Sequence, residues 1–172
     1  VELAAGALVN CAEVTSMAMN KQLQSAKAFT LIELIIVIGI IGILTAIIVP
    51  ALKSSTRKAN EASAVSTLNA IKVAQAKYII DHKEHFGTFP QLFAEGYLDK
   101  RFNVDQPNIR GYFFILTSIP RSEGKTASYA VNANPEQWEG FSATGKNFYY
   151  TDPDNGICVS TTGPASAADE PL

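Results

Sequence analysis

Hydropathy divides the chain into an apolar rod followed by an amphipathic remainder. From Phe29 to Val49 the sequence carries a single charge, Glu33, and Pro50 closes the run. At about 1.5 Å per residue these positions make a helix of roughly 31 Å, long enough to cross a hydrocarbon core. A buried core helix is the alternative, but the rest of the chain has ordinary polarity and could not cover every face of such a rod.

Beyond Pro50 the pattern changes. Ala62, Val65, Leu68, Ile71, Ala74 and Tyr78 recur at steps of three or four, with Arg57, Lys58, Glu61, Lys72 and Lys77 largely on other faces. This spacing predicts an amphipathic helix lying on a sheet, ended by Gly87 and Pro90. "FPQLFAEGYLDKRF" (Phe89 to Phe102) reads as a short helix stopped near Gly96, then a loop. "GYFFILTSI" (Gly111 to Ile119) and "ASYAVNA" (Ala127 to Ala133) read as strands. "NFYY" and "ICVST" flank "TDPDNG", in which Asn155-Gly156 signals a hairpin. Thr162 to Leu172 reads as a loose tail. The fold class is α+β: a long N-terminal helix, membrane-spanning in its first half and amphipathic in its second, packed on a small antiparallel sheet of three to four strands.

Charge and chemistry narrow the function. Fourteen lysines and arginines against sixteen acids leave a net charge of -2. That balance gives no footprint for double-stranded DNA, and no nucleic-acid partner is expected for this chain alone. No serine, histidine and acid arrangement, phosphate loop or nucleotide fingerprint is present, so neither an enzyme nor a cofactor is expected. His82 and His85, with Asp81 and Glu84, invite a metal reading, but a helix end facing solvent accounts for them and no metal is expected. Asp152 and Asp154 lack the further ligands of a calcium loop and read as a turn. Cys158, between Ile157 and Val159, reads as a small buried hydrophobe.

The beginning of the chain is unusual. It opens on Val1 rather than methionine, as a fragment or a translation from a wrong start would. A start at Met19 gives MNKQLQSAKA directly before the apolar run, with Lys21 and Lys27 and no acid. A cut at Ala28 would leave the apolar stretch on the mature protein, the reverse of a secretory signal. "LVNC" (Leu8 to Cys11) has a faint likeness to a lipoprotein box, but Asn10 is bulky and no basic region precedes it. Cys11 and Cys158 would fall on opposite sides of the cut, so no disulfide is expected.

"KAFTLIEL" (Lys27 to Leu34) resembles the prepilin signature shared by type IV pilins and the pseudopilins of type II secretion. Gly42 and Pro50 fall where such pilins carry a helix-loosening glycine and a proline, and "RKANEASAVSTLNAI" (Arg57 to Ile71) is similar to the segment after their anchor. The resemblance implies that a prepilin peptidase cuts between Ala28 and Phe29 and methylates the Phe29 nitrogen. Ala28 departs from the family pattern, which has glycine before the cut. The implied organisation is a leader at 1–28, in which a start at Met19 would leave 1–18 untranslated, a transmembrane and assembly helix at 29–50, and a periplasmic or extracellular head at 51–172. The implied function is a structural subunit of a type IV pilus or pilus-like filament; the alternative is a type II secretion pseudopilin, or a minor pilin acting as a membrane-anchored binding module. Its partners would be the peptidase, identical or related subunits and the bacterial inner membrane. Basic residues flank both ends of the run and do not fix orientation; the resemblance places the amino terminus in the cytoplasm before assembly and the head in a filament afterwards.

On this reading Glu33, Gly42 and Pro50 are assembly residues. A new α-amino group at Phe29, with a reference pKa of about 7.7 to 8.0, is cationic at neutral pH. A lone acid within a span costs about 2.5 to 3.5 kcal/mol, and the amine of an adjacent subunit would offset that cost and set the axial register. Alternatively Glu33 lies at the interface and faces the positive pole of its own helix. Gly39, Gly42 and Pro50 weaken the helix, although glycines also let membrane helices approach closely.

Overall fold

A computed structural model describes residues 29–83, 85–122 and 124–172. The expected leader, with Cys11, Met19 and Ala28, lies outside the described residues, as does Glu84. The chain forms two compact units, one through Thr45 and one from Ala46 to Leu172.

Helix α1 runs Leu31–Asp81. Its residues in the first unit are exposed and almost all apolar. In the second unit one face is buried: Ala64, Leu68, Ile71, Ala74, Gln75 and Tyr78. Ala62, expected on this stripe, is exposed, and Val65 is half-buried. The steps of four, three, three and four from Ala64 through Leu68, Ile71 and Ala74 to Tyr78 keep the seam on one side, and Ala62 lies well off it. The helix also ends earlier than Gly87 suggested. His82 N donates to Tyr78 O at 2.9 Å, and Lys83 turns the chain with a φ of 47°. Gly87 is instead buried, where an added Cβ would meet the Tyr78 ring at 3.1 Å.

Helix α2 (Phe89–Ala94) is started by Thr88 in a capping box with Gln91. The expected loop after it contains a 3-10 turn at Lys100–Phe102. The sheet has six strands: β1 (Asn108–Ile109), β2 (Tyr112–Ile119), β3 (Ser128–Pro135), β4 (Phe148–Thr151), β5 (Ile157–Ser160) and β6 (Glu170–Pro171). They lie in chain order, each antiparallel to the next. Tyr112 and Phe114 of β2, Val131 and Ala133 of β3 and Tyr149 of β4 pack with Leu68 and Ile71 of α1 and with Phe89 and Phe102.

The expected three to four strands become six because two edge strands hold only two residues each, too few for an alternating pattern. Strand β1 joins β2 through Arg110 and Gly111, both at positive φ (52° and 75°), the geometry of a two-residue hairpin turn. Gly111 therefore turns the chain rather than opening the strand. The tail is not loose. Strand β6 pairs with β5, Leu172 N donates to Ile157 O at 2.7 Å, and Asn132 Nδ2 donates to Ala165 O at 2.7 Å. These bonds hold small and polar residues that have little apolar surface to bury.

The β4–β5 hairpin forms as expected, around Asp152. Its carboxylate accepts from the backbone of Asp154 (3.0 Å) and Asn155 (2.6 Å), from Asn155 Nδ2 (2.8 Å) and from the Tyr150 hydroxyl (3.1 Å). Burial alone would raise this carboxyl, but the bonds from Asn155, Tyr150 and Asp154 outweigh it and hold it below the usual aspartate range. A depressed folded-state value contributes stability that is present above the unfolded value, near 3.9, and is lost as pH falls through the folded one. Asp152→Asn is therefore expected to lose less stability than the parent between pH 5 and pH 2, as measured by urea unfolding at each pH.

Candidate functional site

The site begins where α1 begins. Phe29 and Thr30 are non-helical, and Thr30 takes the N-cap position. Glu33, three residues on, reaches back. Thr30 N donates to Glu33 Oε2 at 2.9 Å and Thr30 Oγ1 to the same oxygen at 2.7 Å, while Glu33 N donates to Thr30 Oγ1 at 3.3 Å. This is a reciprocal capping box, and it satisfies donors that the first helical turn would otherwise leave orphaned. The sequence signal for this box is the Thr-Leu-Ile-Glu spacing from Thr30 to Glu33. The carboxylate is thus held at the helix start, beside the residue whose nitrogen is the expected methylation site, and it is exposed. Within the single chain, Glu33 is thus engaged by Thr30 at the amino-terminal end of its own helix.

Around it the surface is uniformly apolar. Phe29 is 81% exposed and Leu31 75%, and the large side chains from Ile32 to Leu44 are likewise exposed. A helix apolar on all faces, with none of them covered, belongs in lipid or among similar helices, and this one is long and apolar enough to cross a membrane. Gly42 leaves open space where a Cβ would be. Thr45 Oγ1 donates to the carbonyls of Ile41 (2.9 Å) and Gly42 (3.0 Å), and Pro50 lies inside α1, which is continuous through both positions.

The other candidates separate. His82 stacks on Tyr78 with ring centroids 3.9 Å apart and meets Glu95 Oε1 at 3.0 Å, whereas His85 turns towards the carbonyls of His82 and Lys83. Asp81 accepts from the Tyr97 hydroxyl. Among the described residues no three histidine, cysteine or acidic side chains gather as metal ligands. Cys158 is buried and free. Unforeseen from sequence is the clasp between α1 and the 136–147 loop: Arg57 donates to the carbonyls of Gly140 (2.7 Å) and Ala143 (3.0 Å), Asn60 to Thr144 O (2.9 Å), and Glu61 accepts from Lys146 N (2.9 Å).

Residues 23–49 match the family described as the prokaryotic N-terminal methylation motif. The type IV wide pilus major component PilA4 of Thermus thermophilus is 37% identical over 82 residues, covering 48% of this chain and 63% of that protein. A fimbrial protein of Pseudomonas aeruginosa is 44% identical over 62 residues, covering 36% of this chain and 40% of that protein. The type II secretion system core protein G of Escherichia coli K12 is 38% identical over 131 residues, covering 62% of this chain and 90% of that protein. The chain thus spans 40% to 63% of the length of the first two relatives. No solved structure matches.

Proposed function

The chain belongs to the family of type IV pilins and type II secretion pseudopilins, and on that premise we propose that it is a structural subunit of a pilus or pilus-like filament, polymerised through the apolar half of α1. One observation carries the reading: the part of α1 before Pro50 is apolar and uncovered on every face, and its one carboxylate is positioned at its very start. Prepilin peptidase frees the Phe29 amine by cutting after Ala28. The subunit waits in the inner membrane with its amino terminus on the cytoplasmic side, and the residues from 51 onward form the head. On assembly the Phe29 amine of an adjacent copy meets Glu33, while Gly42 and Pro50 let the helix adjust to its neighbours.

A second reading, the pseudopilin of a secretion system, is favoured by the relative covered over 90% of its length, which is a secretion core protein. The role in either case is structural. Sequencing the mature amino terminus tests the first step: N-methylated phenylalanine at Phe29 is expected, and a mature chain that begins elsewhere removes the charge partner on which the assembly step depends.

A further inference from the structure

The second unit contains a cationic recess whose residues the assembly reading does not use. Lys53 is the first charge after Glu33 and follows directly on the exposed apolar residues Ile47, Ile48, Val49 and Leu52. Within the next two turns, Ser54, Arg57, Lys58 and Glu61 of α1 and Lys146 of the 136–147 loop line a cavity of about 160 Å³. Arg57 fixes the loop by its bonds to Gly140, Phe141 and Ala143. Among the described residues, the ammonium groups of Lys58 and Lys146 have no hydrogen-bond or ion-pair partner, and both residues are exposed. Glu61 in the wall is engaged by Lys146 N, and Glu139 is the acid at the tip of the loop.

The same loop presents two large aromatic side chains. Trp138 is 46% exposed and Phe141 61%. Trp138 rests edge-on against Phe148 with centroids 6.0 Å apart, and Lys53 Nζ stands 5.3 Å from the centre of the Phe141 ring. Exposed aromatics beside lysine and arginine, directly after an apolar run, are the composition of a membrane–water interface. Clustered juxtamembrane cations attract anionic lipid.

We propose that the recess formed by Arg57, Lys58 and Lys146 takes the phosphate headgroup of an anionic phospholipid, with Trp138 and Phe141 settling into the headgroup layer. The site would hold the head against the membrane before assembly. It rests on the reading of the apolar run as a membrane span, and it commits to lipid because the cations continue an apolar helix and are flanked by aromatics rather than by base-reading or nucleotide-reading groups.

Trp138 is the chain's only tryptophan, so its fluorescence reports the loop directly. The full chain is reconstituted into vesicles of phosphatidylcholine with increasing phosphatidylglycerol, some lipids brominated near the headgroup, and insertion is checked by flotation. Phosphatidylglycerol is expected to shift Trp138 emission to the blue and to increase its quenching by brominated lipid. In the Lys58→Gln/Lys146→Gln double variant, the phosphatidylglycerol needed for half-maximal quenching should rise about fivefold or more. Unchanged emission in chains that float with the vesicles overturns the proposal while leaving the span intact, whereas chains that do not float overturn both. A shift reproduced by inorganic phosphate in pure phosphatidylcholine makes this a free-anion site, and one that follows protein density at fixed lipid composition makes it a contact between copies; either overturns the lipid assignment.

Discussion

Glu33→Gln is expected to leave membrane insertion and Ala28–Phe29 cleavage intact and to lower incorporation into filaments by about a hundredfold or more, read as the ratio of subunit in sheared fibres to subunit in the membrane. Removing one partner of a buried ion pair costs about 3 to 5 kcal/mol because the other charge is left uncompensated. Glutamine is the informative replacement. The carboxylate is already occupied in the single subunit, where Oε2 accepts from the backbone and the hydroxyl of Thr30, and glutamine serves equally well in that third position of a capping box. Glu33→Gln therefore keeps the local cap and deletes only the charge. Glu33→Ala deletes the charge and the carboxylate's half of the box, while the backbone N–H of position 33 can still donate to Thr30 Oγ1. If capping were the whole role of Glu33, the glutamine variant would assemble normally and the alanine variant would be mildly impaired. Normal fibres from Glu33→Gln would sink the intersubunit pairing.

The two roles are compatible. The cap holds the carboxylate at the helix start, so under the proposed assembly an approaching amine would meet an acid already in place rather than one that must be ordered first. The sequence made this acid conspicuous because it stood alone among apolar residues. The threonine three positions earlier is its capping partner, a pattern that a lone charge in an apolar run masks.

The rest of the fold was legible in proportion to how much apolar periodicity each element carried. Helix α1 and strands β2 and β3 bury helical or alternating stripes, and β4 and β5 are marked by the Asn155-Gly156 turn between them, so their residues announce them. The edge strands β1 and β6 have two residues each and no stripe, so the tail that follows β5 read as loose although hydrogen bonds hold it. The 136–147 loop was opaque for a related reason. Its fastening depends on Arg57 reaching backbone carbonyls more than eighty positions away in sequence, and an arginine on a helix gives no sign of which carbonyls it will find. Close approach is hidden in the same way: Gly145 lies so near Tyr112 that an added Cβ would meet the phenol carbon Cζ at 2.6 Å, a constraint that no local pattern encodes.

Gln75→Leu is expected to destabilise the head by about 2 to 3 kcal/mol, although every hydropathy scale would score it as an improvement at a buried helix position. Gln75 interrupts the apolar stripe of α1 and is fully buried. Its amide closes a two-bond ring on one residue: Nε2 donates to Gly87 O at 2.7 Å, and Gly87 N donates to Oε1 at 3.0 Å. Gly87 is itself buried, one residue before the Thr88 cap that starts α2, so the glutamine fixes the segment that carries the chain from one helix to the next. Leucine fills a similar volume but leaves a backbone donor and a backbone acceptor without partners, at about 1 to 3 kcal/mol each, against an apolar gain of about 1 to 2 kcal/mol. Thermal unfolding of the detergent-solubilised chain, followed by near-ultraviolet circular dichroism so that the aromatic core rather than the apolar helix is observed, should show a midpoint lower by roughly 10 °C. An unchanged or raised midpoint would mean that Gly87 finds other partners and that the amide is an ordinary occupant of the stripe. Gln75→Glu separates the two outcomes further, since it retains the acceptor for Gly87 N but sets an oxygen against Gly87 O, and it should be at least as destabilising as leucine if the ring of bonds is what holds the turn.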